Sequence, residues 1–188
     1  MPCGIHRGQK VKRLQIFEAD LNHPDTFRAA IAGCIGVFLV AHQMPTDTTT
    51  GDTSTTSTLA ILQACLVAKT VKRAVYTSSA VAAIFSAKIS TTIDEESWSN
   101  LDLVHKSPPP VAAYAAAKTS TEKSALEFGE KHGNADSYKY LAGSVDVVHV
   151  DDVASAQIFL FESGDAKGSS MGRASEISSQ KLLETGFK

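Results

Sequence analysis

Residues 34–40 read CIGVFLV, an unbroken apolar run rich in β-branched and aromatic side chains. A strand with one wet face alternates apolar and polar residues. A continuous run of this kind predicts a strand covered on both faces, as in a parallel sheet. Parallel strands need a long crossover, usually a helix. The chain supplies one in residues 59–69, where Leu59, Leu62 and Leu66 fall on one stripe. Residues 73–79 (RAVYTSS) then read as a second strand that ends in hydroxyls.

The same alternation extends in both directions. Residues 14–19 (LQIFEA) are a short strand candidate. Residues 24–32 read as a helix, with Asn22 as a cap, Phe27, Ala30 and Ile31 on one face, and Gly33 as its stop. Residues 111–132 form the longest helix candidate, with Lys131 and His132 in its last turn. Residues 145–150 (VDVVHV) read as a strand, Asp151 caps a helix through Phe161, and residues 176–185 read as a last short helix. Helices interleaved with strands give an α/β fold built on a parallel sheet. Two stretches break the pattern. In residues 46–58 (TDTTTGDTSTTST), ten of thirteen residues are Thr or Ser, which predicts a solvated loop. Residues 86–110 are long and irregular and close with three prolines.

Composition narrows the function classes. The 188 residues are 43% hydrophobic and 20% charged, which excludes a wholly disordered or collagen-like chain. No window offers about 18 consecutive apolar residues, so no spanning helix is expected. Lys plus Arg is 18 against 20 Asp plus Glu, which leaves no global basic field to hold a nucleic acid. Cys3, Cys34 and Cys65 are odd in number and far apart, so neither a zinc cluster nor a disulfide framework is expected. Cys34 and Cys65 read as small buried hydrophobes. The basic start, MPCGIHRGQKVKR, lacks the apolar core of a secretory leader, and a reducing, cytoplasmic setting follows as the expectation.

In parallel α/β sheets the chemistry lies outside the carboxyl ends of the strands. That directs attention to the residues after Val40 and to Ser79. The sharpest local feature is YAAAK, in which Tyr114 and Lys118 are i and i+4 on a helix and share a face. A free tyrosine titrates near pH 10. A neighbouring ammonium favours the phenolate and lowers that value by about 1–3 units, which suits Tyr114 to proton donation toward a carbonyl. Ser79, at the strand end 35 residues earlier, is placed to polarise the same carbonyl. Ser78 would point the other way, since neighbouring strand side chains alternate. His149, Asp151 and Asp152 resemble metal ligands only on paper; a strand end followed by a capped helix accounts for them, and no metal is expected. Lys10, Lys12 and Arg13 read as a solvated terminus, Asp94, Glu95 and Glu96 as a loop edge, and Trp98 as a packing residue.

The ordered blocks FEADLNHPDTFRAAIAGCIGVFLVA, TLAILQACLVAKTVKRAVYTSSA, DEESWSNLDL, YAAAKTSTEKSALEFGEKHG, VDVVHVDDVASAQIFLFE and SSQKLLETGF cover well over half of the chain. Together they resemble the extended short-chain dehydrogenase/reductases of plants, the dihydroflavonol reductase, anthocyanidin reductase and vestitone reductase type. The resemblance implies a Rossmann-like fold and NADPH-dependent reduction of a carbonyl on a flavonoid-like substrate. It also implies a Ser79, Tyr114 and Lys118 triad, with Lys118 and Tyr114 contacting the cofactor as well. Asp20 and Leu21 match the pair that lies along the adenine. Val40 and Ala41 match the turn beneath the ribose and phosphate region. His42 departs from the family's small residue followed by proline, and Ala117 from a usual serine.

Larger departures concern whole segments. No strand and glycine-rich turn precedes Leu14, and residues 134–144 are short and polar where the family continues with an apolar strand. The expectation is one incomplete Rossmann-like domain over residues 1–188. Its first βαβ unit is missing, and residues 134–188 are a remnant of the substrate-binding region. A second reading follows from the same absences: a catalytically inactive relative that acts, if at all, by protein association through an exposed sheet edge. A third keeps the triad in a sugar-nucleotide epimerase or a steroid dehydrogenase.

Overall fold

The computed structural model describes residues 14–42, 50–86, 93, 97–132 and 150–163. Its described elements are a 3-10 turn at Pro24–Phe27 that runs into α1 (Arg28–Ile31), β1 (Gly36–Leu39), α2 (Thr50–Ala68), β2 (Arg73–Tyr76), a 3-10 turn at Ala80–Ala82, α3 (Leu101–Val104), α4 (Pro109–His132) and α5 (Val150–Glu162).

β1 and β2 pair in parallel, with Gly36 opposite Arg73 and Leu39 opposite Tyr76. Side chains alternate across a strand, and the two faces bury against different partners. Leu39, Ala74 and Tyr76 join Ile31, Ile61, Leu62, Cys65, Val71 and Ala125 in the main core, with Val37 packed against it. This is the α2 and α4 side. Val75 faces the other way and buries against Leu160, with Phe159 and Phe161 around it. The described sheet therefore lies between α2 and α4 on one face and α5 on the other. Fold class follows the expectation: an α/β parallel sheet with helices on both faces.

Coverage is uneven, however. The expectation that both faces of β1 are closed holds only in part, because Phe38 remains 41% exposed beside Phe161. Its ring centroid is 5.4 Å from that of Phe161. The same Phe161 ring packs against Gly36, where an added Cβ would meet it at 2.0 Å.

The Thr/Ser-rich stretch corrects the sequence reading. Residues 50–58 open α2 instead of forming a loop, while residues 46–49 lie outside the described residues. Several of the hydroxyls are absorbed locally and across the helix pair, whereas Ser54 Oγ is buried with no hydrogen-bond partner among the described residues. Ser57 Oγ donates to Thr53 O at 2.8 Å and also to Leu21 O. Thr55 Oγ1 meets Thr121 Oγ1 of α4 at 3.0 Å. Ser54, Ser57 and Thr58 are buried, as are Ala115, Ala117, Thr119 and Thr121 on α4. Small side chains on both helices allow this close packing.

Residues 14–19 are the second correction. They form no regular element and are exposed, with Leu14 at 76% and Ile16 at 86%, and they pair with no strand among the described residues. A strand is held by its neighbour's backbone groups, and neither described strand supplies them here. The helix beginning at Pro24 forms as expected, but Asn22 is not its cap. The N-cap position is His23, which makes no side-chain cap bond. Thr26 closes the turn instead, accepting from Asp20 N at 3.0 Å and donating to His23 O at 2.6 Å. The helix stops as read, since Gly33 takes a positive φ of 79°.

The irregular stretch before α4 contains α3, capped by Asn100 Oδ1, which accepts from Asp102 N at 2.8 Å. Ser99 Oγ and the backbone of Ser99 and Asn100 pin this segment to Val81, Ala82 and Phe85. α5 starts at Val150, one residue before the expected Asp151 cap, and runs through Phe161 as read. Of the strand expected at residues 145–150, Val150 belongs to α5 instead and residues 145–149 lie outside the described residues, as do the helix at 176–185, most of the 134–188 remnant, and His149, Asp94, Glu95, Glu96, Lys10, Lys12 and Arg13. Among the described residues, no helix is long and apolar enough to cross a membrane.

Candidate active site

The carboxyl ends of β1 and β2 open toward the same stretch of α4. After β2 the chain continues extended through Thr77, Ser78 and Ser79, and Ser79 precedes the 3-10 turn at Ala80–Ala82. The alternation expected of the serine pair is present. Ser78 is buried and donates its hydroxyl to Glu122 of α4. Ser79 is half-buried and makes no hydrogen bond through Oγ among the described residues.

Lys118 reaches across from α4 to this strand end. Its Nζ donates to Thr77 O at 3.0 Å and lies 5.3 Å from the centroid of the Tyr76 ring. The side chain is buried, and burial pulls its pKa down to about 8, partly opposed by the charge of Glu122. Tyr76 is pushed the opposite way, by burial, then by Glu122 and Tyr114. Its hydroxyl is buried with no hydrogen-bond partner among the described residues.

One helical turn before Lys118, Tyr114 turns toward the end of β1. Its ring meets His42 edge-on, with centroids 5.7 Å apart and planes at 81°. His42 is held down to about pH 4, first by burial and then by the positive charge of Lys118. Its Nε2 is buried with no hydrogen-bond partner among the described residues. The sequence marked His42 only as a departure from a pattern. Its contact with Tyr114 depends on the docking of α4 against the end of β1, which no local signal encodes. Glu122 was also missed, although its position four residues after Lys118 on the same helix face could have revealed it.

The other expected positions are more dispersed. Val40 and Ala41 follow β1 and are exposed, Val40 by 57%. Asp20 and Leu21 lead into the 24–31 helix, and their hydrogen bonds run within that turn and to α2. Asp20 Oδ1 accepts from Asn22 N at 2.9 Å, and Leu21 O accepts from Ser57. Trp98 carries the Lys123 ammonium 5.1 Å above its ring, in keeping with a packing role.

This donor set suits the nicotinamide-ribose side of a dinucleotide. An ammonium has three N–H donors, and Thr77 O takes one of those on Lys118. The others would have to reach ribose hydroxyls from a residue only 3% exposed. Val40 and Ala41 are exposed residues at the same strand end, whereas the orphaned His42 Nε2 beside them is buried. Residues that would hold a pyrophosphate are not found in this cluster.

Comparison with known proteins gives a consistent picture. The NAD dependent epimerase/dehydratase family profile matches residues 4–141. Noscapine synthase SDR1 of Papaver somniferum is 37% identical over 203 aligned positions, covering 85% of this chain and 58% of that protein. Vestitone reductase of Medicago sativa is 43% identical over 128 positions, covering 65% of this chain and 39% of that protein. The crystal structure of the alfalfa (Medicago sativa) vestitone reductase superimposes with a TM-score of 0.79 at 28% identity, over 94% of this chain and 77% of that one. The chain thus spans about two to three fifths of the length of these two curated relatives.

Proposed function

The chain belongs to the NAD dependent epimerase/dehydratase family, and from that premise we propose that it is a reductase of the dihydroflavonol or vestitone reductase type, using NADPH to reduce a carbonyl on a flavonoid-like small molecule. The observation that carries this reading is the Lys118 ammonium docked on Thr77 O at the end of β2. It supports a reading in which Tyr114, against His42 after β1, and Ser79, after β2, flank the entering carbonyl.

NADPH, when bound, supplies the hydride. The chain's own residues manage the proton and the position of the substrate. Lys118 would hold ribose hydroxyls with the donors that Thr77 leaves free. Tyr114, one helical turn away on the same face, would donate the proton to the developing alkoxide. Ser79 would donate to the same oxygen and orient it. Val40 and Ala41 would floor the ribose, and Asp20 and Leu21 would lie toward the adenine.

Tyr114→Phe tests this directly. With NADPH and a panel of flavanone, isoflavanone and dihydroflavonol ketones, substrate-dependent oxidation of NADPH should fall at least a hundredfold, the scale of one lost general acid. Turnover that survives this substitution refutes the assignment.

A second reading has its own observation. Phe38 and Val40, two apart on one face of the β1 line, are 41% and 57% exposed. An inactive chain could associate through that apolar face. Under this reading the chain is dimeric in light scattering and has no affinity for NADPH.

A further inference from the structure

Tyr114, Lys118 and Glu122 stand at i, i+4 and i+8 on α4, so they form one ladder along a single helix face. The first two rungs have a place in the reading above. The third does not. Glu122 is only 4% exposed and Lys118 only 3%. A carboxylate taken this far from water is costly unless it is hydrogen-bonded and paired with charge.

Its surroundings supply both. Ser78, at the end of β2, donates its hydroxyl to Glu122 Oε2. Lys118 lies one turn away and is coupled to it electrostatically. Through these two partners Glu122 ties the strand end to the helix that carries the tyrosine. By fixing Ser78 toward α4, it also sends Ser79 to the opposite side of the extended segment.

We propose that Glu122 is a positioning residue for the Tyr114–Lys118 pair: its buried carboxylate anchors the Ser78 hydroxyl and is the counter-charge that keeps Lys118 an ammonium. Glu122 need touch neither cofactor nor substrate to do this.

The groups that face Lys118 define what the carboxylate must overcome. From β2 come the Tyr76 ring and Thr77 O. From the end of β1 comes His42, which is neutral and gives no negative charge. From α4 itself come Tyr114 and Glu122. Burial draws Lys118 down, and the Glu122 charge is what opposes it. A neutral amine at this position would not bind a ribose diol as a charged donor.

This inference rests on Tyr114 and Lys118 being the reactive pair, but its test needs neither cofactor nor turnover. In chain labelled with 13C-lysine, the Lys118 side-chain resonance, assigned with Lys118→Met, is followed by NMR from pH 6 to pH 11 (a range of about five units around the ordinary lysine value). The wild-type midpoint is expected near 8. Glu122→Gln should move it down by about one pH unit or more, and Glu122→Asp should bring it back up. An unchanged midpoint in folded Glu122→Gln overturns the proposal. If Glu122→Gln does not fold, thermal melts of the double variant Lys118→Met/Glu122→Gln decide. Recovery of a cooperative melt when both charges are removed supports the pairing. A double variant no better folded than Glu122→Gln overturns it.

Discussion

His42 stays neutral through the range in which an ordinary histidine gains its proton. Burial and the Lys118 charge hold it down to about 4, against 6.5 for an unperturbed imidazole. The unfolded chain therefore binds a proton between these values that the folded chain refuses. Stability from neutral His42 is fully present above about pH 6.5 and is lost progressively as pH falls toward 4. Thermal melts should show the midpoint falling from pH 6.5 to pH 5, before most carboxylates titrate. His42→Gln should flatten that limb, and a wild-type midpoint constant over it would contradict the burial. At this scale the sequence was readable wherever one periodicity decides. The i, i+4 spacing put Tyr114 and Lys118 on a common face, and the two-residue period of an extended segment separated Ser78 from Ser79. Cys65 also sits where the sequence put it, fully buried, with its thiol pushed up to about 11 by burial and by Cys34. His42 and Glu122 were not readable as site residues, since each takes its meaning from a partner more than forty positions away in the chain: Tyr114 for His42, and Ser78 for Glu122.

Elements were legible in proportion to how far their own composition decides their state. β1, β2 and α4 carry continuous apolar or helix-forming sequence and form where expected. Residues 50–58 misled because Ser and Thr compete for the backbone in an isolated segment. Here back-bonding to i−4 and burial against α4 remove that competition. Residues 14–19 have strand-like composition but lack a described neighbour. Arg73 shows a third case, a residue of one element that completes another. Its Nη1 donates to Leu160 O, to Phe161 O at 2.7 Å and to Ser163 O. The last carbonyls of a helix have no intrahelical donors, and a cation there is favourable. Arg73→Met should cost about 1–2 kcal/mol of stability. Because α5 is the described cover over Val75 and Phe38, hydrogen exchange should accelerate in residues 150–163 and β2 before it does in α2. Uniform acceleration in all helices would mean that Arg73 acts on the whole fold and not on α5.

Across the whole molecule, the three layers bring the ends of two strands and one helix face to a common point. The main core beneath is continuous through α2, β1, β2 and α4. A ligand that engages both Lys118 on α4 and the Val40–His42 segment after β1 would bridge two parts of one cooperative unit. It should therefore stabilise the entire fold and not only a loop. Binding to the native state alone adds about 2.7 kcal/mol at a free ligand concentration a hundredfold above Kd. For a chain of this length that corresponds to a rise of roughly 5–10 °C in thermal midpoint. NADPH titrated into the purified chain should give a saturating rise of this size. Lys118→Met should lose most of it relative to its own unliganded melt, because the ribose donors are gone. Tyr114→Phe should keep most of it, because the phenol acts on the substrate carbonyl. A cooperative melt that does not move with NADPH would favour the inactive, associating reading. In that case Lys118, held by Thr77 O, does structural work alone, and the exposed apolar face at Phe38 and Val40 becomes the surface to follow.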